Sequence, residues 1–490
     1  MNDYFLAFDM GASSGRSILA WTENGKIRLE ELNRFDNRLI EKDGHKIWDL
    51  DSLWNGILTG LRACRASGRI PKSVGIDTWA VDYVLLDGNG HLIGDAVCYR
   101  DSRTDGMKEE AEKLISAREL YGRTGIQFQP FNTIYQLLAL KKEHPEQLEK
   151  AQHLLMLPDY FNYLLTGVMK QEYTNATSTN LVNAEHCEWD MDIIRKLGLP
   201  ERLFGKLSLP GTVVGHLKEE IRKEVGFDTV AVLPATHDTG SAFLSAPYSG
   251  EDSLILSSGT WSLLGVENPK PITTERSQEA NFTNEGGAWY RYRYLKNIMG
   301  LWMIQSVRRE LNGVSYVAGK SSAGLAGVLK DAGSNGSWSF PDLIEAAQRA
   351  SEFSSEVDVN DSRFLAPESM IEEVRAACEE SGQKAPESVG ELMQCLYLSL
   401  TTCYRKAVGE LSAITGKTYR TVNIIGGGCQ DAYLNQMTAV RTGLMVYAGP
   451  VEGTAIGNLA VQMIAAGIFR NLSEARACIA ESFEVKKFQG

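Results

Sequence analysis

Two stretches of the same design occur in this 490-residue chain, one near the start of each half. In residues 4–21 an apolar run ends in the polar tip GASSGR and a second apolar run follows, and residues 253–265 repeat this pattern around the tip SSGT. Each stretch predicts two strands joined by a tight turn. Because the chain is too long for one hydrophobic core, the repeat predicts two domains of similar build, 1–247 and 248–490. The alternative is a coincidence between two Ser/Gly turns, which are common.

Charge and cysteine usage exclude several classes of protein. The net charge of −12 argues against nucleic acid or an anionic membrane as the main partner. The eight cysteines form no CxxC pair and no Cys/His cluster with metal-binding spacing, which predicts reduced thiols in a cytoplasmic protein, and the N-terminus lacks the basic region of a signal peptide. The apolar segment 455–469 contains Asn458 and Gln462 and predicts a core helix instead of a membrane span.

The tip of the first hairpin has the composition of an anion site. Two glycines bracket two serines in residues 11–16, so backbone N–H groups and hydroxyls can surround a phosphate without obstruction by Cβ atoms. Arg16 adds a charge and a forked donor, and Asp9 could hold Mg²⁺ through water. The alternative is an ordinary turn with a solvated arginine, because the string is neither a Walker A loop nor GxGxxG.

Residues 233–243, LPATHDTGSAF, predict a buried strand, a polar tip and the start of a helix. A lone carboxylate at such a tip is a natural position for a general base that takes a proton from a substrate hydroxyl. Asp238 occupies that position. The alternative is that Asp238 only caps the helix, since Asp is a preferred N-cap residue.

A third glycine-rich turn follows a β-branched strand, where Gly426, Gly427 and Gly428 precede a predicted helix. Three glycines allow the backbone to approach a flat ligand such as adenine or ribose very closely. The alternative is a tight strand-to-helix turn with no ligand. The pattern therefore indicates a nucleotide-binding turn, and its structural context decides between this interpretation and the alternative.

Several polar or aromatic segments between these signals could line a sugar site. Residues 99–106 combine two arginines and two aspartates, as a polar wall with Arg103 among the sugar contacts or as a surface loop with its own ion pairs. Phe128 and Phe131 could pack on the apolar face of a sugar. Residues 172–181 are dense in hydroxyls and amides, and they predict either a turn or a buried polar network.

Two further segments of the second half are interpreted from their periodicity and composition. In residues 294–307 the apolar positions form one helical stripe, with Asn297 and Gln305 off that stripe. Residues 312–339 are rich in Gly and Ser, which predicts an exposed and mobile insertion.

Ten motifs, taken together and in order, resemble the FGGY carbohydrate kinases of the actin/hexokinase-like ATPase superfamily. They are DMGASSGR, GIDTWAVDY, YRDSRT, LPDYFNYLLTG, THDTGSA, LSSGTWS, NEGG, LKNIMGLW, IIGGGCQ and GPVEGTAIGN. The resemblance covers residues 4 to 460 except for the Gly/Ser-rich insertion. It implies an α/β fold of two ribonuclease-H-like (actin-like ATPase) domains, each a mixed sheet flanked by helices. It also implies an interdomain catalytic cleft, with the first domain binding sugar and the second binding nucleotide.

The resemblance also implies roles for individual residues. Asp238 matches the catalytic base, and Asp9 matches the carboxylate near Mg²⁺. The positions that match contacts to the sugar are Ala80, His237, Asp238, Thr239 and Asn297. The positions that match contacts to ATP are Ala12, Ser13, Ser14, Gly15, Arg16, Thr260, Gln305 and Gly427.

The combination of HDT, SSGT and LKNIMG resembles the branch of the family that acts on L-rhamnulose. The implied reaction is transfer of the γ-phosphoryl group of ATP to the C1 hydroxyl of that ketose, with Mg²⁺, by a monomer or small homo-oligomer. One departure is Ala80, where the family usually has a glycine whose backbone approaches the sugar. An added methyl could narrow that wall, which leaves the choice among related ketoses open.

Three alternatives remain. The first is a kinase of the same build that acts on L-fuculose, L-xylulose or D-ribulose. The second is a sensor that binds ATP and sugar without transferring phosphate, although such a protein would be expected to have lost the base or a phosphate loop. The third, a hydride-transferring enzyme, is disfavoured because no strand-coupled GxGxxG is present.

Overall fold

The computed structural model describes residues 2–248, 250–314, 325–332, 337–365 and 367–490. The chain packs into two compact units. It first passes from one unit to the other after Pro247, which is also where the sequence analysis places the domain boundary. Two later segments return to the first unit. The first unit consists of Met1–Pro247, Val266–Leu295 and Glu452–Phe483. The second unit consists of Tyr248–Gly265, Lys296–Val451 and Glu484–Gly490.

The main sheet of the first unit is mixed. Its strand order is β14-β15-β6-β1-β2-β3, with β6 parallel to both β1 and β15 and with β2 antiparallel to β1 and β3. The strands up to residue 247 are β1 (Tyr4–Met10), β2 (Ser14–Glu23), β3 (Lys26–Asp36), β4 (Leu39–Lys42), β5 (His45–Trp48), β6 (Pro71–Thr78), β7 (Tyr83–Leu86), β8 (Leu92–Ile93), β9 (His153–Met156), β10 (Gln171–Glu172), β11 (Val182–Asn183), β12 (Glu188–Trp189), β13 (Leu207–Ser208), β14 (Val213–His216) and β15 (Val230–Val232).

Two helices of this part show the start and stop signals that the sequence carries. The side chain of Asp49 caps α1 by accepting from Ser52 N at 3.0 Å, and α6 ends at Gly167, which has the left-handed conformation expected of a C-terminal glycine. The helices are α1 (Leu50–Ala66), α2 (Met107–Glu112), α3 (Ala117–Thr124), α4 (Thr133–Glu143), α5 (Pro145–Lys150), α6 (Leu157–Thr166), α7 (Tyr173–Thr177), α8 (Met191–Lys196), α9 (Glu219–Val225) and α10 (Asp238–Leu244).

The rest of the chain supplies a second mixed sheet. Within the second unit the strand order is β17-β16-β20-β21-β22, where β20 is parallel to both β16 and β21. The strands are β16 (Ser253–Ser258), β17 (Trp261–Asn268), β18 (Thr283–Gly286), β19 (Tyr292–Met299), β20 (Thr421–Ile425), β21 (Met445–Ala448) and β22 (Lys486–Phe488). The helices are α11 (Glu275–Glu279), α12 (Trp302–Leu311), α13 (Phe340–Arg349), α14 (Met370–Glu380), α15 (Val389–Thr415), α16 (Ala432–Thr442), α17 (Gly453–Ala465) and α18 (Leu472–Ser482).

The prediction of one helix over residues 294–307 is wrong. The chain there continues β19, breaks at Gly300 and starts α12 two residues later. A Cβ atom on Gly300 would lie 2.5 Å from Ser262 N and 2.6 Å from the carbonyl carbon of Trp261, so the strand ends where the backbone must approach the neighbouring hairpin. Asn297 therefore lies on a strand.

The Gly/Ser-rich insertion is only partly described. Residues 315–324 and 333–336, on which much of the prediction of a mobile segment falls, lie outside the described residues. Within the described part, Leu329 and Trp338 are both buried. Exposure is therefore not a property of the whole segment.

The prediction of a core helix at residues 455–469 is confirmed, because α17 is buried there and forms hydrogen bonds with the strands of the first sheet. Asn458 Nδ2 donates to Asp77 Oδ2 at 2.5 Å and to Gly75 O at 3.2 Å, and Gln462 Nε2 donates to Leu6 O at 3.0 Å. Among the described residues no helix has the length and apolar character needed to cross a membrane.

Candidate active site

The predicted polar tip of residues 236–240 is held on a buried network of hydrogen bonds. Thr78 N donates to Thr236 O at 2.9 Å. The buried carboxylate of Glu172 accepts from Thr236 N at 3.2 Å and from Thr236 Oγ1 at 2.6 Å. Residues 172–181 are all buried, so the structure favours the buried polar network over a simple turn. This network fixes the start of α10 against the ends of the strands.

Asp238 is the first residue of α10, and His237 occupies the N-cap position without capping the helix through its side chain. The carboxylate of Asp238 accepts from the N–H of the next residue, Thr239, at 2.6 Å, whereas a cap would accept from an N–H two or three residues further on. A quarter of the Asp238 side chain is exposed. The helix-cap alternative is therefore not supported by the geometry.

The surroundings of Asp238 shift its acidity toward neutral pH. Burial and, to a smaller extent, the charge of Asp9 raise the pKa of Asp238, the Thr239 N–H and the Arg293 guanidinium oppose the shift, and the resulting pKa is about 7. A carboxylate with a pKa near the operating pH combines a useful fraction of its basic form with a strong drive for proton transfer. Asp238 is therefore the candidate general base.

Arg293 organises the residues around Asp238, and the sequence did not single it out. Its side chain is almost completely buried, at 1% exposure. Its guanidinium donates to His237 Nδ1 at 2.9 Å, to Thr239 Oγ1 at 2.7 Å and to Gly286 O at 3.1 Å, and it pairs with Glu285 at 3.0 Å. The available signal was a cation inside an otherwise buried strand, β19.

The turn of the first hairpin is tied down by a residue that the sequence did not point to, Asn37. Gly11 N donates to Ser14 O at 2.9 Å and closes the turn. Asn37 Nδ2 donates to Gly11 O at 3.0 Å, and Asn37 N donates to Ser13 O at 3.2 Å. Ser13 is exposed and Ala12 is half-buried. With carbonyls of the turn occupied by Asn37, this surface offers N–H and hydroxyl groups to an anion.

Gly15 is a glycine for a reason of packing. A Cβ atom at this position would lie 2.3 Å from the ring of Phe35, on the neighbouring strand β3. Its predicted contact with ATP remains a prediction, since the ring alone accounts for the absence of a side chain.

Arg16 lies between two carboxylates. Its Nε and Nη2 donate to Asp9 Oδ2 at 3.1 and 2.9 Å, and its Nη1 lies 2.7 Å from Glu452 Oε2. Contact of this guanidinium with a phosphate would therefore compete with these ion pairs, a competition that the sequence did not reveal.

The residues around Asp9 fit a Mg²⁺ site in which water and substrate phosphates supply the remaining ligands. Asp77 on β6 lies opposite Asp9 on the neighbouring parallel strand β1. The Oδ1 atom of Asp77 is buried without a hydrogen-bond partner. Burial and the charge of Asp9 hold the pKa of Asp77 well above its ordinary value, as expected for adjacent buried carboxylates. Within the described residues no group of three or more His, Cys, Asp or Glu side chains could hold a metal. Mg²⁺ is normally held by one or two carboxylates plus water and substrate phosphates, so these residues fit it.

Two predicted ATP contacts of the second unit lie on connected elements. Thr260 is at the tip of the second hairpin, where Thr260 O accepts from Trp302 N at 3.0 Å and Gly259 O accepts from Leu301 N at 3.1 Å. These bonds hold the first turn of α12 against the tip. Gln305 lies in that same helix and is half-buried.

The glycine triplet divides into two structural glycines and one open position. Gly426 has φ of 85°, and a Cβ atom on Gly428 would lie 2.0 Å from Ser258 Oγ, on the neighbouring strand β16. A Cβ atom on Gly427 would meet nothing within 4 Å. Backbone conformation and packing therefore require glycine at the two outer positions. Gly427 is open to a ligand, as its predicted role in binding nucleotide requires.

The turn that contains Ala80 is connected to Arg103. Ala80 O accepts from Asp82 N at 2.9 Å, and Val81 has φ of 67°, which is uncommon for a β-branched residue. Gln136 Nε2 donates to Asp82 Oδ1 at 3.1 Å, and Gln136 Oε1 accepts from Arg103 Nη2 at 2.6 Å. Hydrogen bonds through Gln136 thus link the turn at Ala80 to Arg103, and their role as a wall of a sugar site stays a prediction.

The two phenylalanines proposed for sugar stacking have different neighbours. The Phe131 ring lies 5.1 Å from that of Tyr99, and the Phe128 ring lies 5.7 Å from that of Tyr135 with the Lys108 ammonium 4.9 Å from its centroid. Sugar stacking by either ring stays a prediction.

Comparisons with known proteins agree with this geometry. The N-terminal domain of the FGGY family of carbohydrate kinases matches residues 4–245, and its C-terminal domain matches residues 254–466. A protein of Halalkalibacterium halodurans named rhamnulokinase is 50% identical over 99% of this chain and 98% of its own length. One of Bacillus subtilis with the same name is 41% identical over 99% and 95%.

Solved structures support the fold. A gluconate kinase from Lactobacillus acidophilus is similar with a TM-score of 0.77 at 18% identity, covering 100% of this chain and 94% of the other. A xylulose kinase from the same organism has a TM-score of 0.77 at 17% identity, covering 99% and 94%. Two mixed sheets, the geometry around Asp238 and these matches lead to one conclusion: the chain belongs to the FGGY family of carbohydrate kinases.

Proposed function

We propose that this protein transfers the γ-phosphoryl group of ATP to the C1 hydroxyl of L-rhamnulose and forms L-rhamnulose 1-phosphate and ADP. Relatives named rhamnulokinase are 41% to 50% identical over nearly the whole chain. The observation that carries the proposal is the carboxylate of Asp238, which begins α10 with its pKa raised to about 7. It has the acidity and the partial exposure of a general base.

Phosphoryl transfer requires positioning and charge stabilisation more than covalent chemistry. In the proposed reaction Asp238 accepts the proton of the C1 hydroxyl as that oxygen attacks the γ-phosphate. Thr239 and Asn297 bind sugar hydroxyls, His237 contacts the sugar through its ring, and Ala80 forms part of the sugar wall. Bound Mg²⁺ would neutralise charge on the phosphates, with Asp9 as its ligand through water. The residues proposed to bind ATP are Ala12, Ser13, Ser14, Gly15, Arg16, Thr260, Gln305 and Gly427.

A substrate panel tests the proposed sugar. A coupled assay of ADP release with Mg-ATP would compare L-rhamnulose, L-fuculose, L-xylulose and D-ribulose with a blank that contains no sugar. We expect kcat/KM for L-rhamnulose to be higher by about tenfold or more, because an epimer leaves buried polar partners unpaired. Preference for another ketose would make that ketose the assigned substrate and would indicate that the methyl group of Ala80 changed the specificity. ATP binding without turnover on any sugar would favour the sensor.

The pH dependence tests the proposed base. Burial and Asp9 raise the pKa of Asp238 to about 7, so its basic form is lost as the pH falls through that value. We expect kcat/KM for the sugar to fall about tenfold for each pH unit below about 7, measured with ADP release in buffers of constant ionic strength. An acidic limb near pH 4 would contradict the assignment, because it would describe a carboxylate with an ordinary pKa.

We also propose a cytoplasmic protein that is a monomer or a small homo-oligomer. All eight cysteines lie in the described residues and are free thiols there, as is usual in a reducing compartment. Light scattering of the purified protein would give its oligomeric state, and alkylation in fresh lysate would count its thiols. Extensive disulfide formation in the cell would contradict the proposed compartment.

A further inference from the structure

We propose that Arg293 is a positioning residue that sets the tautomer of His237 and thereby makes the Thr239 hydroxyl a donor to an oxygen of the sugar. This inference rests on the proposed function only in naming the sugar as the recipient. The tautomer itself is a property of the protein without substrate.

The first step concerns the ring nitrogen Nδ1 of His237. Arg293 Nη2 lies 2.9 Å from it, and a guanidinium has donors only. Nδ1 must therefore accept with its lone pair, and the ring proton must lie on Nε2. Burial, together with the charge of Arg293, holds the pKa of His237 well below its ordinary value, so the ring is neutral at pH 7. The ion pair with Glu285 at 3.0 Å keeps Arg293 charged although it is buried.

The second step concerns the hydroxyl of Thr239. His237 Nε2 lies 2.9 Å from Thr239 Oγ1, and with its proton on Nε2 the ring donates to that oxygen. Arg293 Nη1 donates to the same oxygen at 2.7 Å. A hydroxyl accepts two hydrogen bonds and donates one, so both acceptor positions of Thr239 are filled. The hydroxyl can offer only its proton to a further partner.

This arrangement assigns different tasks to two adjacent residues. Asp238 receives a proton from the attacking hydroxyl, whereas Thr239 donates one to a second sugar oxygen, which must act as an acceptor. A sugar analogue without an oxygen at that position would leave the half-buried Thr239 donor unpaired. Discrimination at this point of the sugar therefore depends on Arg293, which need not touch the sugar.

A neighbouring carboxylate makes the inference testable. Glu285 Oε2 lies 3.4 Å from His237 Nδ1, and Arg293 at 2.9 Å is the closer group. In Arg293→Met the carboxylate of Glu285 would be left to attract a proton onto Nδ1. A neutral ring protonated there would accept at Nε2 and take the proton of the Thr239 hydroxyl, and a cationic ring would carry Nδ1–H as well. Either state differs from that of the parent protein.

The experiment is a long-range ¹H–¹⁵N spectrum of the full chain labelled with ¹⁵N-histidine, at pH 7.5 without sugar or ATP. His237→Gln identifies the ring signals. We expect the Nε2–H tautomer in the parent protein and in Arg291→Met, an exposed arginine two residues away, and Nδ1–H in Arg293→Met. Arg293→Lys, which still donates to Nδ1, should retain Nε2–H. A parent protein with Nδ1–H, or an unchanged tautomer in Arg293→Met, would overturn the proposal.

Folding and function are separated by two further measurements. If Arg293→Met does not fold because the buried carboxylate of Glu285 loses its guanidinium partner, the double variant Arg293→Met/Glu285→Gln removes both charges and should show a Nδ1–H population, whereas pure Nε2–H there would overturn the proposal. In those folded variants of Arg293 that lose the Nε2–H tautomer, we expect KM for the sugar to rise about tenfold or more with KM for ATP unchanged. Failure of L-rhamnulose as a substrate would leave the tautomer measurement intact.

Discussion

Asp238→Asn is expected to lower kcat by about 10²–10⁴-fold, the usual contribution of a positioned general base, while binding of Mg-ATP persists. The variant keeps the size and the polar character of the side chain but cannot take the proton of the sugar hydroxyl. Coupled ADP release would measure turnover, and calorimetric titration would measure nucleotide binding. Turnover close to that of the parent protein would remove Asp238 from the mechanism.

Stability separates the loss of a base from the loss of a structural contact. The pKa of Asp238 is about 7 in the folded protein against an ordinary value of 3.8, so between these values the folded state binds more protons than the unfolded state. The free energy of unfolding therefore decreases as pH rises through that window. At pH 8 Asp238→Asn removes a costly charge, and its Tm should equal or exceed that of the parent, with a smaller difference at pH 5. A helix cap would instead lose about 1 kcal/mol on replacement.

Gly457→Ala is expected to reduce both stability and turnover, although it lies outside the proposed site residues. A Cβ atom at this position would lie 1.7 Å from Ser241 O and 2.5 Å from the carbonyl carbon of the same residue. Because the obstacle is backbone, α17 and α10 must separate. Overpacking of this kind costs about 1–3 kcal/mol or more. Ser241 follows Asp238 by three residues in α10, and misplacement of a catalytic group by about 1 Å can cost about 10²-fold in rate.

The matched control is Gly122→Ala in the same unit. Gly122 lies in α3, and a Cβ atom there would meet nothing within 4 Å, so the variant should keep turnover and gain about 0.4–1 kcal/mol from helix propensity and a less flexible unfolded chain. Thermal unfolding and ADP release on both variants would test the pair. Parent-like values for Gly457→Ala would show that the helices tolerate the methyl group and that α10 is not held by this contact.

Features that depend on neighbouring residues were predictable. The strands of both hairpins, the bounds of α1 and α6 and the core position of α17 follow from hydrophobic period, caps and terminal glycines, which act within one or two turns of chain. The order of the ten motifs was sufficient for the family. Residues 294–307 show where this reasoning fails, because their apolar pattern also fits a strand followed by a helix. The contact that forces the break at Gly300 comes from residues 261 and 262.

The sequence by itself determined the two hairpins, the family and the candidate base, because these depend on residue type and short spacing. Only the tertiary structure decided that burial and Asp9 raise the pKa of Asp238 and that Arg293 faces His237 across 56 positions of chain. Only the tertiary structure shows that the Gln462 side chain donates a hydrogen bond to the carbonyl of Leu6, 456 positions away. Acidity and hydrogen-bond polarity depend on which groups share a dehydrated space, and folding brings those groups together from distant parts of the chain.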